Sequence, residues 1–138
     1  MSTFPTAGGR SGPLKIFVVE DHQDTGKYLC MYLEALGHKA TRVRNMAQAL
    51  EELPHSDCDM LICDIRLPDG NGWDLLRALK ERLSRPIYAI AVSSGVATSD
   101  RRKSKEAGFR HHLDKPFFPL VVEAHLKQAA LEMAEQAQ

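Results

Sequence analysis

The chain has 138 residues, with 18 Lys or Arg set against 18 Asp or Glu, so its formal net charge is zero. That length supports one folding unit with a real core and is too short for two of ordinary size. The neutral balance demands neither nucleic acid nor an anionic membrane as partner, and 43% hydrophobic with 26% charged residues excludes the disordered and membrane-embedded classes.

No stretch approaches the roughly 20 apolar residues of a spanning helix, and Met1 to Pro13 lacks the apolar core of a secretion signal. A cytoplasmic location is the expectation. Cys30, Cys58 and Cys63 are odd in number and show no C-x-x-C spacing. They read as buried reduced thiols, not as a disulfide framework or zinc ligands.

Residues 1–13 hold two prolines, three glycines and scattered Ser and Thr, and are expected to form a flexible tail before a single domain over 14–138. Leu14 to Val19 is an apolar run that stops at Glu20-Asp21, as a buried parallel strand does. Tyr28, Leu29, Tyr32, Leu33 and Leu36 recur at helical spacing, with Asp24 as the expected cap and Gly37 as the expected stop. Lys39 to Arg44 alternates and is polar enough for an edge strand. Met46, Ala47, Leu50 and Leu53 then mark a second helix closed by Pro54.

A second buried-strand run covers Asp59 to Ile65, with Asp64 near its end and the loop L-P-D-G-N-G behind it. Leu75, Leu76, Leu79 and Leu83 share one helical face over Trp73 to Leu83. Ile87 to Val92 reads as a fourth strand ending in Ser93-Ser94-Gly95, Ser99 to Ala107 as a very polar helix, and Arg110 to Leu113 as a short strand. Pro119 to Ala134 is the last helix, with Val122, Leu126, Ala129 and Met133 inward. Strands alternating with helices five times predict a parallel sheet covered on both faces, with chemistry just beyond the strand ends.

Those ends carry Glu20 and Asp21, Asp64, Ser93 and Lys115. A lone acid at a strand end is most often a helix cap or a solvated loop residue. Five strand-end groups together are another matter, because clustered carboxylates repel one another unless a cation joins them, and hard oxygen ligands suit Mg2+. A site of Asp21, Asp64 and a backbone carbonyl would be poised for phosphoryl transfer, with the Ser93 hydroxyl and the Lys115 ammonium taking phosphoryl oxygens. Asp64 is the expected nucleophile, since it projects from the middle strand beside a Gly-rich loop.

V-V-E-D at 18–21, D-I-R-L-P-D-G-N-G at 64–72, A-V-S-S-G at 91–95 and D-K-P-F at 114–117 resemble the four signature blocks of response regulator receiver domains, at matching intervals from about Leu14 to Met133. The resemblance implies a flavodoxin-like five-stranded parallel sheet of order 2-1-3-4-5 with helices on both faces. It also implies an Mg2+-binding acid pair (Glu20, Asp21), a phosphoacceptor (Asp64), a main-chain ligand at Arg66, switch hydroxyls at Ser93 and Ser94, a phosphoryl-binding Lys115 and a cis Lys115-Pro116 peptide. The implied partners are a sensor histidine kinase or a histidine phosphotransfer protein, with a downstream effector or a second copy meeting the last helices.

Two features depart from the common pattern. His112 stands where such domains usually carry Tyr or Phe, three residues before the lysine, and it is the candidate switch residue. The stretch from Ser94 to Phe117 looks more like receivers attached to hybrid histidine kinases than like those of transcription factors. Only a final helix fits after Lys115, so no output domain is expected to follow. Rival readings are a haloacid-dehalogenase-type phosphatase, which would need an acid where Arg66 stands, and a pseudo-receiver that binds partners without phosphorylation.

The remaining features read blandly. Trp73 is expected to cover the sheet edge, the basic run Arg101, Arg102, Lys103 and Lys105 to be a solvated helix face, and Cys63 to turn away from Asp64 into the core. His22, His38, His55, His111 and His125 are expected on the surface, His22 close enough to the acid pair to touch a phosphate.

Overall fold

The computed structural model describes residues 13–94 and 98–137. The expected tail therefore lies, apart from Pro13, outside the described residues, as does Gly95 of the third signature block. Along the chain run β1 (Lys15–Val19), α1 (Gln23–Ala35), β2 (Lys39–Val43), α2 (Met46–Glu52) continued by a 3-10 turn (Leu53–His55), β3 (Met60–Asp64), β4 (Arg66–Leu67), β5 (Gly70–Asn71) and α3 (Gly72–Arg82). β6 (Tyr88–Ser93), α4 (Thr98–Ala107), β7 (His111–Asp114) and α5 (Pro119–Ala137) follow.

The main sheet is parallel, in the order β2-β1-β3-β6-β7. Counted over its five strands this is the expected 2-1-3-4-5. The Gly-rich loop expected after β3 folds back on itself as a two-stranded antiparallel ribbon pairing Arg66 with Asn71 and Leu67 with Gly70.

Alternation along the strands sorts the core into two layers. Ile16, Val18, Met60, Ile62, Ile90 and Val92 meet Leu29 and Leu33 of α1 and Val122, Leu126 and Ala129 of α5. On the other face Phe17, Val19, Leu61, Cys63, Ala89 and Ala91 meet Ala49 of α2 and Leu75, Leu76 and Leu79 of α3. Each such Leu or Ile, fully buried, contributes about 1.5–3 kcal/mol of transfer free energy. Cys63 thus turns into the helix layer, as alternation requires, and burial pushes its thiol pKa far up.

Local chemistry sets the ends of the helices. Gly37 closes α1 with φ 97°, a left-handed value that suits glycine. Its start differs from expectation: the cap is His22, whose Nδ1 accepts from the Thr25 amide at 3.3 Å, while Asp24 lies in the first turn. His22 is the last extended residue before the helix, and so it alone can turn its side chain back on the free amides. Asn45 and Asn71 cap α2 and α3 through Gln48 N and Asp74 N, each at 2.8 Å. The Asp69 carboxylate, between β4 and β5, adds bonds from the amides of Met46 at 2.8 Å and Ala47 at 3.0 Å. The β3 loop is therefore fastened to the start of α2.

Other expectations are corrected. His38 is buried, and its Nδ1 accepts from the Leu14 amide at 2.9 Å. His111 and His125 are half-buried against each other, with ring centroids 5.5 Å apart. Tyr28 points outward from α1, leaving the packing to Leu29 and Leu33. Trp73 joins α3 to α4 by donating Nε1–H to Ser104 Oγ at 2.9 Å, with the Lys103 ammonium 5.1 Å from its ring centre. The run Arg101, Arg102, Lys103 and Lys105 is exposed, as expected.

Candidate functional site

The sheet order reverses at β1 and β3, whose carboxyl ends open a crevice. Register brings Val19 beside Cys63, Asp64 beside Val92, and Ser93 beside Asp114. The residues immediately past these pairs therefore converge. Asp64 ends β3 and Glu20 follows β1, and both are buried, whereas Asp21 is exposed. One carboxylate oxygen from each of the three lies within 4.8 Å of the other two.

Lys115 Nζ stands between two of these acids, 2.6 Å from Glu20 Oε1 and 2.9 Å from Asp64 Oδ2. Its backbone amide donates to Ser93 O at 2.8 Å, and the Lys115-Pro116 peptide is cis. The loop after Asp64 is held by the Arg66 amide on Asp64 Oδ1 at 3.1 Å, by Ile65 N on Val92 O at 2.9 Å and by Gly72 N on Ile65 O at 2.7 Å. A Cβ at residue 72 would come 2.7 Å from the Asp64 carbonyl oxygen, so glycine is what lets α3 start against the end of β3. Ser93 is buried at the end of β6, and Ser94 beside it is exposed.

Burial raises the Glu20 pKa to about 6; Lys115 opposes the shift and the neighbouring Asp64 reinforces it. Burial also disfavours the Lys115 ammonium, but its hydrogen bonds to Glu20 and Asp64 outweigh this and raise its pKa. The pair of effects is what a cation trapped among excess carboxylates should show.

The other candidates fall to one side. His112 pairs with Ala91 in the sheet, well before the strand ends, and its side chain is only 7% exposed. Neither ring nitrogen has a hydrogen-bond partner among the described residues, and Nε2 is 3.7 Å from Asp114 Oδ1. Burial, then the Arg101 charge, lowers its pKa, against the pull of Asp114 and Asp100. The His22 ring is engaged as the α1 cap, so the contact with the acid pair is made by its main chain, N to Glu20 Oε2 at 3.1 Å. One residue near the site was missed entirely: Asp100, a buried acid on α4 whose ion-pair partner is Arg66. Its signal in the sequence was slight, one acid among the polar residues of a helix with few apolar ones.

Residues 16–127 match the family model of the response regulator receiver domain. The chain belongs to that family. Transcriptional regulatory protein CusR of Escherichia coli (strain K12) is 34% identical over 105 residues, which cover 75% of this chain and 45% of that protein. Sensory/regulatory protein RpfC of Xanthomonas campestris pv. campestris is 30% identical over 124 residues, 88% of this chain and 16% of that one. The receiver thus spans about half the length of the transcriptional regulators it matches.

Among solved structures, the receiver domain of sensor histidine kinase PA1611 from Pseudomonas aeruginosa PAO1, with a magnesium ion coordinated in its active site cleft, is similar at TM-score 0.77 and 25% identity, covering 86% of this chain and 98% of that one. A CheY-like receiver domain protein from Methanospirillum hungatei JF-1 reaches TM-score 0.80 at 23% identity, covering 91% and 99%, and shows the shared fold. This receiver is therefore a module of two-component response regulation with a flavodoxin-like sheet, and its acid cluster has the donors to hold a divalent cation.

Proposed function

We propose that this receiver accepts a phosphoryl group on Asp64 from the phosphohistidine of a sensor histidine kinase or histidine phosphotransfer protein. It then signals by contact through β7 and the last helices, to an effector or a second copy, or passes the group on. The observation that carries the reading is the Lys115 ammonium bonded to both Glu20 and Asp64, with Asp21 within reach.

An Asp64 oxygen attacks phosphorus, the bond from phosphorus to the donor nitrogen breaks, and the imidazole leaves. Lys115 neutralises charge on the phosphoryl oxygens, and the hydroxyls of Ser93, the last residue of β6, and of Ser94 after it take one of them. Glu20, Asp21, Asp64 and the Arg66 carbonyl would hold Mg2+, whose charge draws carboxylate and phosphoryl oxygens together when it is bound. The three hard carboxylates fit that ion better than they fit a soft metal. His112 serves as the switch side chain, its ring already inside the fold. The receiver promotes its own phosphorylation and dephosphorylation and turns over no separate substrate. Where the dehalogenase reading needs an acid there is an arginine, Arg66, ion-paired with Asp100. No helix of the described residues is long and apolar enough to cross a membrane, and we place the protein in the cytoplasm with its kinase.

Radiolabelled acetyl phosphate with Mg2+ should leave label on the protein that hydroxylamine removes, as an acyl phosphate requires. No label, or label stable to hydroxylamine, would sink the reading.

The Glu20 pKa of about 6 gives a pH test. Its folded value lies above the unfolded 4.5, so in the metal-free protein this group costs stability as pH rises from about 4.5 to about 6. A bound cation needs the ionised form, so Mg2+ affinity should weaken progressively below about pH 6, with proton release on binding. Calorimetric titrations across that range check it. An affinity as flat in the native protein as in Glu20→Gln would remove Glu20 from the ligand set.

A further inference from the structure

Asp100 is 7% exposed in the first turn of α4, a helix whose Arg101, Arg102, Lys103 and Lys105 all face solvent. Its partner is the Arg66 guanidinium at 3.6 Å, with the Arg66 side chain 73% exposed and that of Asp100 only 10%. At that separation the two are held by charge and not by a hydrogen bond. The guanidinium also pivots from a backbone whose amide already donates to Asp64 Oδ1 at 3.1 Å. One exposed cation, carried by the residue whose amide bonds the proposed phosphoacceptor, thus docks on a buried acid of α4.

We infer that Arg66 is an exchangeable arginine: it docks on Asp100 while Asp64 is bare and moves to the phosphoryl oxygens when Asp64 is phosphorylated, releasing the first turn of α4. This rests on the phosphoryl-acceptor reading above. A phosphoryl group brings about 1.5 to 2 negative charges near neutral pH and three acceptor oxygens, against the single charge of Asp100. A planar guanidinium can meet two of those oxygens at once, a geometry that the 3.6 Å pair with Asp100 lacks. Asp100 is not stranded when the arginine leaves, because the amides of the first helical turn favour a negative charge. Asp100 is therefore a positioning residue: it acts on the phosphoryl oxygens through Arg66, by competing for it.

Competition predicts effects of opposite sign. Beryllofluoride with Mg2+, a mimic of the aspartyl phosphate, should bind Asp100→Asn more tightly than the native protein and Arg66→Gln more weakly. Each change should be about two- to fivefold, the worth of a partly exposed ion pair. The double variant should match Arg66→Gln, because the competition ends once the arginine is gone. Arg66→Lys, which keeps the charge without the fork, should fall between native and Arg66→Gln. Amide exchange in α4 beyond its first turn should quicken on beryllofluoride binding in the native protein and be quick from the start in Asp100→Asn.

A purely structural role would weaken binding in both single variants. That result, or unchanged affinity in both, overturns the exchange. Failure of beryllofluoride to bind the native protein, or equal binding to Asp64→Asn, would instead overturn the phosphoryl reading on which it rests.

Discussion

Asp64→Asn is expected to take up no phosphoryl group at all. An amide oxygen carries no anionic lone pair for attack on phosphorus, and the alternatives nearby are poor: Glu20 and Asp21 both follow β1, and neither ends the middle strand beside the Gly-rich loop. The fold should survive, since the single amide oxygen keeps one of the two bonds that Asp64 accepts, from Lys115 at 2.9 Å on Oδ2 or from the Arg66 amide at 3.1 Å on Oδ1, and the other donor can turn to water. Metal-free stability should even rise. Asp64 helps to push the Glu20 pKa up to about 6, and removing its charge relieves a repulsion that the native protein carries at neutral pH. Labelling with acetyl phosphate and melting curves without Mg2+ check both halves. Label at native yield would move the phosphoacceptor elsewhere.

Lys115→Ala should be the costliest single change to the site. It strips the cation from two buried carboxylates that lie 2.6 and 2.9 Å from it. Breaking a buried pair costs about 3–5 kcal/mol, and we expect the lower end because Asp21 leaves one side of the cluster open to water. The Lys115 pKa is raised above its ordinary 10.5, so its contribution is complete below that pH and lost as pH rises past the folded value. In the variant, millimolar Mg2+ should restore more of the melting temperature than it adds to the native protein, since the ion takes over the neutralising role. Phosphoryl uptake should still fall by roughly 10²–10³, the usual cost of one well-placed electrostatic donor. A melting temperature insensitive to the substitution would show that water, and not Lys115, compensates the acids.

The sheet was legible because its central strands are buried on both faces and so appear as nearly unbroken apolar runs. The site was legible for a related reason: a parallel sheet delivers every strand end to one edge, so Glu20, Asp21, Asp64, Ser93 and Lys115 could be gathered without coordinates. What escaped has no periodic signal. The β4–β5 ribbon has two-residue strands, too short for alternation to show. The His22 cap depends on where β1 stops extending, and a sequence marks that boundary only to within a residue or two. His38 and Asp100 are polar residues at inward positions, where burial is decided by partners distant in the chain, such as the Leu14 amide for His38 and the Arg66 guanidinium for Asp100. Such pairings are long-range facts. Tyr28 fits the helical stripe of α1 yet points outward, because Leu29 and Leu33 already fill the groove over β1 and β3.

Glu132 gathers three donors from β6, β7 and the residue that precedes β7: the Tyr88 hydroxyl at 2.9 Å, His111 Nε2 at 2.8 Å and Arg110 at 3.0 Å. The family match ends at residue 127, five positions short of this carboxylate and ahead of the buried Ala129 and Ala130. Anyone trimming the gene to the family's limits would leave a phenol, a guanidinium and an imidazole facing a helix that no longer reaches them, and would take the resulting frailty for a property of the receiver.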